Sequence, residues 1–155
     1  MMLNILATVL LALAPNDSTL VKINVSNATT IQKIESRDVL FGVKETVEEL
    51  FINEGYTTVD SGNAFDVYVT IDSIYSPQQI LNIAGTKWLR KDYIVETSIC
   101  IGSGCYKGKG ERRTFIFAMF LNVENDEVPL NRKAFSKALE ASLRESMKFK
   151  TNNKL

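Results

Sequence analysis

Residues 36–72 constrain the fold more than any other stretch. Val39, Leu40, Val43, Val47, Leu50 and Phe51 recur at three- and four-residue spacing, with Lys44, Glu45, Glu48 and Glu49 on the opposite side. That periodicity predicts a helix with one buried stripe. Ser36 is the expected N-cap, and Asp38 in the first turn suits the helix dipole. Gly55 ends the helix, because glycine takes a left-handed backbone without a Cβ clash. A short Tyr-, Thr- and Val-rich strand is expected at 56–60 and a turn at 61–63. From 65 to 71 strict alternation sets Phe65, Val67, Val69 and Ile71 against Asp66, Tyr68 and Thr70, a half-buried strand.

The other elements fall around this run. Residues 20–26 alternate (Val21, Ile23 and Val25 against Lys22 and Asn24) and read as a strand. The spacing predicts a long connection over 75–92 and a strand over 93–101. A glycine-rich hairpin tip is expected at 102–110 and a strand at 112–123. A second helix, capped by Asn131, has the stripe Phe135, Ala138, Leu139, Leu143 and Met147. The order is β-α-β-β-β-β-α. The economical packing is an α+β domain, a mostly antiparallel sheet with both helices on one face. The chain has 155 residues, with 45% hydrophobic and 23% charged, which suits one domain over 15–150 with a polar tail at 151–155.

Residues 5–14 are an unbroken apolar run, too short for the roughly 20 residues that span a bilayer. They match the core of a signal peptide, with Ala12-Leu13-Ala14 as cleavage pattern. No basic residue precedes the run and Pro15 follows it, so residues 1–14 read as a signal peptide or an uncleaved anchor. A buried first element of the domain is the alternative. No cysteine follows to accept a lipid.

The chain lacks histidine, the commonest general base and metal ligand. Two cysteines alone make no structural zinc site, and no cofactor is expected. Cys100 and Cys105 flank a turn. In an oxidising compartment they would close a hairpin disulfide worth about 2 kcal/mol; in the cytosol they would be free thiols. The glycines at 102, 104, 108 and 110 miss phosphate-loop spacing. Asp60, Asp66 and Asp72 read as solvated acids, and a small hydrolase built on them is the weaker alternative.

Eighteen basic and eighteen acidic residues balance, so no nucleic-acid partner is expected. Local recognition remains open. Lys87, Arg90, Lys91, Lys107, Lys109, Arg112 and Arg113, with Trp88 and Tyr106, form a candidate basic-aromatic patch for an acidic protein or an anionic envelope component. If Tyr93, Val95, Ile99, Phe115, Phe117, Met119 and Leu121 face the helices, then Ile94, Ile116 and Phe120 face outward. An apolar outer face predicts self-association or partner docking.

The run Ser-Arg-Asp-Val-Leu-Phe-Gly-Val from Ser36, the Glu-Gly-Tyr-Thr-Thr-Val that follows, and Phe-Asp-Val-Tyr-Val-Thr-Ile-Asp-Ser-Ile-Tyr resemble the YajG-type family of exported bacterial lipoproteins. The helix Ala-Phe-Ser-Lys-Ala-Leu-Glu-Ala-Ser-Leu is similar in place and pattern. The resemblance implies a periplasmic or envelope-associated domain that acts without catalysis, through protein contacts, and it carries over no catalytic residue. The missing lipid-accepting cysteine departs from the family pattern. The remaining alternative is a cytosolic or virus-encoded accessory factor.

Overall fold

A computed structural model describes residues 19–118 and 128–148. The apolar run at 5–14, Met119, Phe120, Leu121 and the 151–155 tail lie outside the described residues. The elements are β1 (Leu20–Asn27), β2 (Lys33–Ile34), β3 (Arg37–Asp38), α1 (Val39–Asn53), β4 (Thr57–Thr58), β5 (Phe65–Tyr75), β6 (Gln78–Ile83), β7 (Thr86–Ile101), β8 (Gly104–Phe117) and α2 (Arg132–Ser146). The main sheet runs β4-β1-β5-β7-β6, with β8 on the other edge of β7. β1 is parallel to β4 and β5, and every other pair in that sheet is antiparallel. The parallel pairs need a crossover, and α1 supplies it.

Both helices pack on one face of the sheet, the expected α+β arrangement. Val43, Val47, Leu50 and Phe51 of α1 and Phe135, Ala138, Leu139 and Leu143 of α2 meet Val21, Ile23, Val67, Val69, Ile71, Tyr93, Val95 and Ile99. Asn131 caps α2 as predicted, its Oδ1 accepting from the Ala134 N–H at 3.0 Å. Gly55 has φ +90°, as a helix stop requires.

Four expectations change. The cap of α1 is Asp38, whose carboxylate accepts from Leu40 N–H at 2.7 Å. Ser36 instead occupies the tight β2–β3 turn with φ +66°. Residues 75–92 are no connection: β6 and the first half of β7 form a hairpin about Ala84 and Gly85. The glycine-rich segment is no flexible tip either. The turn is Gly102-Ser103 alone, and Gly108 and Gly110 lie inside β8, directly beneath α2.

The fourth change concerns which side chains share a face. Ile101 pairs with Gly104 across the short turn, so odd residues of β7 stand opposite even residues of β8. Paired residues point the same way. Tyr93, Val95 and Ile99 do face the helices. Phe115 and Phe117, however, pair with Arg90 and Trp88 on the face away from the helices, the face that also carries Ile94. Ile116 pairs with Leu89 on the helix side. The parity in β8 is thus the reverse of that expected.

Candidate functional site

The face away from the helices, open among the described residues, changes character along the sheet. At the β1 end polar pairs surround one exposed ring, Tyr68: Asn24 Nδ2 donates to Asp66 at 3.0 Å, and the Ser26 and Thr70 hydroxyls lie 2.8 Å apart. At the end built from β6, β7 and β8 it is aromatic. Trp88 and Phe117, opposite each other, stack edge to face with ring centroids 5.4 Å apart. Leu81 lies across from Trp88 on β6. Phe115 is next along the edge, 53% exposed, and Phe117 is 43% exposed. Tyr75 joins this face because a bulge between Ile71 and Ser73 shifts the alternation of β5 and sets Tyr75 beside Ile94.

A charged clasp borders the aromatic end. Asp92 accepts from Arg90 Nε at 3.0 Å and from Arg113 Nε at 2.9 Å. Arg90 binds through both guanidinium arms, the geometry that suits a carboxylate best. The Arg90 hydrogen bond, with Arg113 adding to it, holds the Asp92 carboxyl below the usual carboxylate range against a smaller opposing effect of burial. The same bond raises the Arg90 pKa. The clasp fixes two guanidiniums within reach of the aromatic rings.

The other predicted site residues fall in separate places. Lys91 is 2% exposed on the helix side, and its ammonium donates to the Val128 carbonyl. It is therefore no part of a surface patch. Lys87 and Arg112 are exposed with helix-side parity, Arg112 opposite Tyr93. Lys107 and Lys109 lie on the open face near the hairpin tip, and Lys109 pairs with Glu111 at 3.3 Å. Phe117 lies ten steps along β8 from Lys107, roughly 34 Å at about 3.4 Å per residue. The structure does not bring the basic residues into one patch. Ile94 is half-buried on the open face, Ile116 is on the other face, and Phe120 lies outside the described residues.

Cys100 and Cys105 are joined by a disulfide directly across the β7–β8 ladder, with Cα atoms 4.1 Å apart. So close an approach marks a non-hydrogen-bonded pair. The carboxylates considered for acid–base chemistry are dispersed and engaged. Asp60 binds Lys44 at 2.7 Å, which lowers its pKa, Asp66 binds Asn24, and Asp72 accepts from Ser98. Among the described residues no cluster of acids and cysteines could hold a metal ion, and no helix is long and apolar enough to cross a membrane. A groove of about 410 Å³ lies between the helices, lined by Val39, Gly42, Phe135 and Leu139 and by charges of both signs.

Sequence reasoning missed Tyr75, Asp92, Phe115 and Phe117. A signal for the phenylalanines was present. A disulfide directly across the ladder between residues five apart needs a two- or four-residue turn, and either sets odd residues of β7 opposite even residues of β8.

No family model matches the chain, and no curated protein matches it. Among solved structures, a minor lipoprotein from Acinetobacter baumannii is similar at 8% identity and TM-score 0.47, over 88% of this chain and 93% of that one. A hypothetical protein from Chlamydia trachomatis is similar at 8% identity and TM-score 0.35, over 88% and 95%. The rare lipoprotein B from Shewanella oneidensis is similar at 18% identity and TM-score 0.35, over 84% and 86%. All three scores are low, so function has to be read from the chain's own geometry.

Proposed function

We propose that this chain is an exported, non-catalytic domain of the bacterial envelope that works by docking a protein on the aromatic end of its open sheet face. One observation carries the reading. Trp88, Phe115 and Phe117 crowd one end of this face beside a fixed Arg90–Asp92–Arg113 clasp, with Tyr75 beyond the clasp opposite Ile94, while the far end carries Tyr68 among polar pairs. Aromatic residues beside arginine are the composition that protein interfaces favour, and an exposed apolar cluster rimmed by polar groups is the usual sign of one. The export half of the proposal draws support from the Cys100–Cys105 pair, since such bonds persist in oxidising compartments. The apolar run at 5–14 and the likeness to YajG-type lipoproteins point the same way.

Two measurements test it. Fractionated bacteria should carry the chain outside the cytoplasm, shortened near residue 15 and two protons lighter than its reduced form. A full-length, reduced species confined to the cytosol refutes export. A photo-crosslinking residue at Phe117 should trap a discrete protein adduct in intact cells, while the same residue at Asn24 traps none. Equal labelling, or none, at both positions refutes the docking face.

A further inference from the structure

Among the described residues β8 is an edge strand that pairs with β7 alone. Cys105 sits in a non-hydrogen-bonded pair, so the backbone groups of Lys107, Lys109, Glu111, Arg113, Phe115 and Phe117 point away from β7. The first part of this edge is protected: the Lys109 N–H donates to the Glu145 carboxylate of α2 at 2.9 Å. From Glu111 to Phe117 no backbone partner occupies that side among the described residues. The unprotected run is straight-ladder strand with Phe115, Ile116 and Phe117 exposed. Natural sheets rarely leave such an edge open, because it is a template for another strand.

We infer that the occupant is a second copy of this chain, β8 pairing antiparallel with β8 about a two-fold axis at Thr114. This deepens the docking reading above and rests on it. A two-fold contact is isologous, so the strand must complement itself. Thr114 is the midpoint of the free run, and with the axis there Glu111, Arg113, Phe115 and Phe117 all find partners among the same four residues. Glu111 faces Phe117 of the second copy, and Arg113 faces Phe115. On the helix side Arg112 faces Ile116, and Thr114 faces its own equivalent, a favourable pair. No like charges stand directly opposite each other, and the two diagonally placed Arg113 guanidiniums are each neutralised by their own Asp92. Any other two-fold centre shortens the ladder, and a centre on Arg113 also opposes two guanidiniums, which is unfavourable. The guanidinium of Arg113 is already held by Asp92, so placing it beside an aromatic ring costs little further ordering. An unrelated strand would gain the backbone bonds but would have no reason to match this pattern.

The register makes a specific cross-link. Thr114 would form a non-hydrogen-bonded pair with itself, its Cα atoms about 4.5 Å apart, within disulfide reach. The full chain carrying Thr114→Cys should form a disulfide-linked dimer under mild oxidation. Ile116→Cys, opposite Arg112, should not. Sedimentation of the unmodified chain should show a concentration-dependent dimer. Phe115→Lys, opposite Arg113, should weaken that dimer roughly tenfold or more, about 1.4 kcal/mol. Phe115→Glu should keep it. A monomer at all concentrations overturns the proposal, as does equal cross-linking by both cysteine variants or equal dissociation by both Phe115 variants. If Thr114→Cys fails to fold, the sedimentation of the Phe115 variants decides. A monomeric chain whose Phe117 still cross-links a different protein sinks the second copy and leaves the docking face standing.

Discussion

Gly110→Ala adds one methyl group where α2 crosses β8. An ideal Cβ at Gly110 would lie 1.8 Å from the Ala138 carbonyl oxygen and 2.5 Å from the Ser142 nitrogen. Both are backbone atoms, so no side-chain rotation relieves the clash. The helix must retreat by more than about 1 Å to restore 3.0 Å, the closest approach that real Cβ atoms show. That retreat drags Phe135, Leu139 and Leu143 from the core. It also stretches the 2.7 Å contact between the Thr97 and Ser142 hydroxyls and the 2.9 Å bond from Ser142 to the Gly108 carbonyl. Overpacking costs about 1–3 kcal/mol and each loosened hydrogen bond about 1 kcal/mol, while removing a strand glycine returns about 0.5–1 kcal/mol. The net expectation is a loss of about 2–4 kcal/mol, a large share of the roughly 5–15 kcal/mol that holds a domain together. Gly42→Ala is the control. It sits inside α1 with nothing within 4 Å of its Cβ, so alanine there should add about 0.5–1 kcal/mol. Urea unfolding of the oxidised protein measures both, read as midpoint shifts at constant slope. A loss at Gly110 below about 1 kcal/mol, or the same sign at both glycines, refutes the close approach of helix and strand.

Three further outcomes are expected. Reducing the Cys100–Cys105 bond, or replacing both cysteines by serine, should cost about 2 kcal/mol, because the closed loop is short; unchanged unfolding midpoints would show that the hairpin needs no staple. Ala84 has φ +50° beside Gly85 at φ +78°, a turn in which Asn-Gly is preferred, so Ala84→Asn should stabilise by about 1 kcal/mol in thermal unfolding, and a destabilised variant would contradict that geometry. Asp92, with its pKa lowered first by Arg90 and then by Arg113, binds its proton more weakly folded than unfolded. Its contribution is therefore complete above about pH 4 and disappears as pH falls through the folded value. Acid unfolding of Asp92→Asn should lack that part of the pH dependence, and superimposable curves for variant and parent would rule the clasp out.

Reading the residues in order located both helices, since Val39 to Phe51 and Phe135 to Met147 each show one stripe of period near 3.6. It also located β1 and β5, where alternation is strict. It missed β6 because Gln-Gln-Ile-Leu-Asn-Ile shows no clear alternation: that hairpin has half-exposed residues on both faces. It misjudged Gly108 and Gly110 because a glycine in sequence does not reveal whether its missing side chain serves a turn or a close approach. The buried Ser142 and Ser146 were invisible for the same reason. Their small size matters only because β8 lies against them. Of the candidate site, Trp88 and Arg90 were legible as part of a basic-aromatic patch and Ile94 as an outward apolar residue. Phe115 and Phe117 were legible only as apolar, and were placed on the wrong face.

Local periodicity determined the layers of this protein, because a helix or strand must bury whichever stripe its own repeat creates. Residues 36–72 and the stripe from Phe135 to Met147 were sufficient for that. What periodicity leaves undetermined is the register between strands, since a shift of one residue turns every side chain over. The short Gly102-Ser103 turn and the disulfide beyond it set that register here, and only the assembled ladder brings Phe115 and Phe117 to the open face with Trp88. The bulge after Ile71 does the same for Tyr75. The edge from Glu111 to Phe117, unpaired among the described residues, is likewise a tertiary property, since α2 engages β8 only as far as Lys109 on that side.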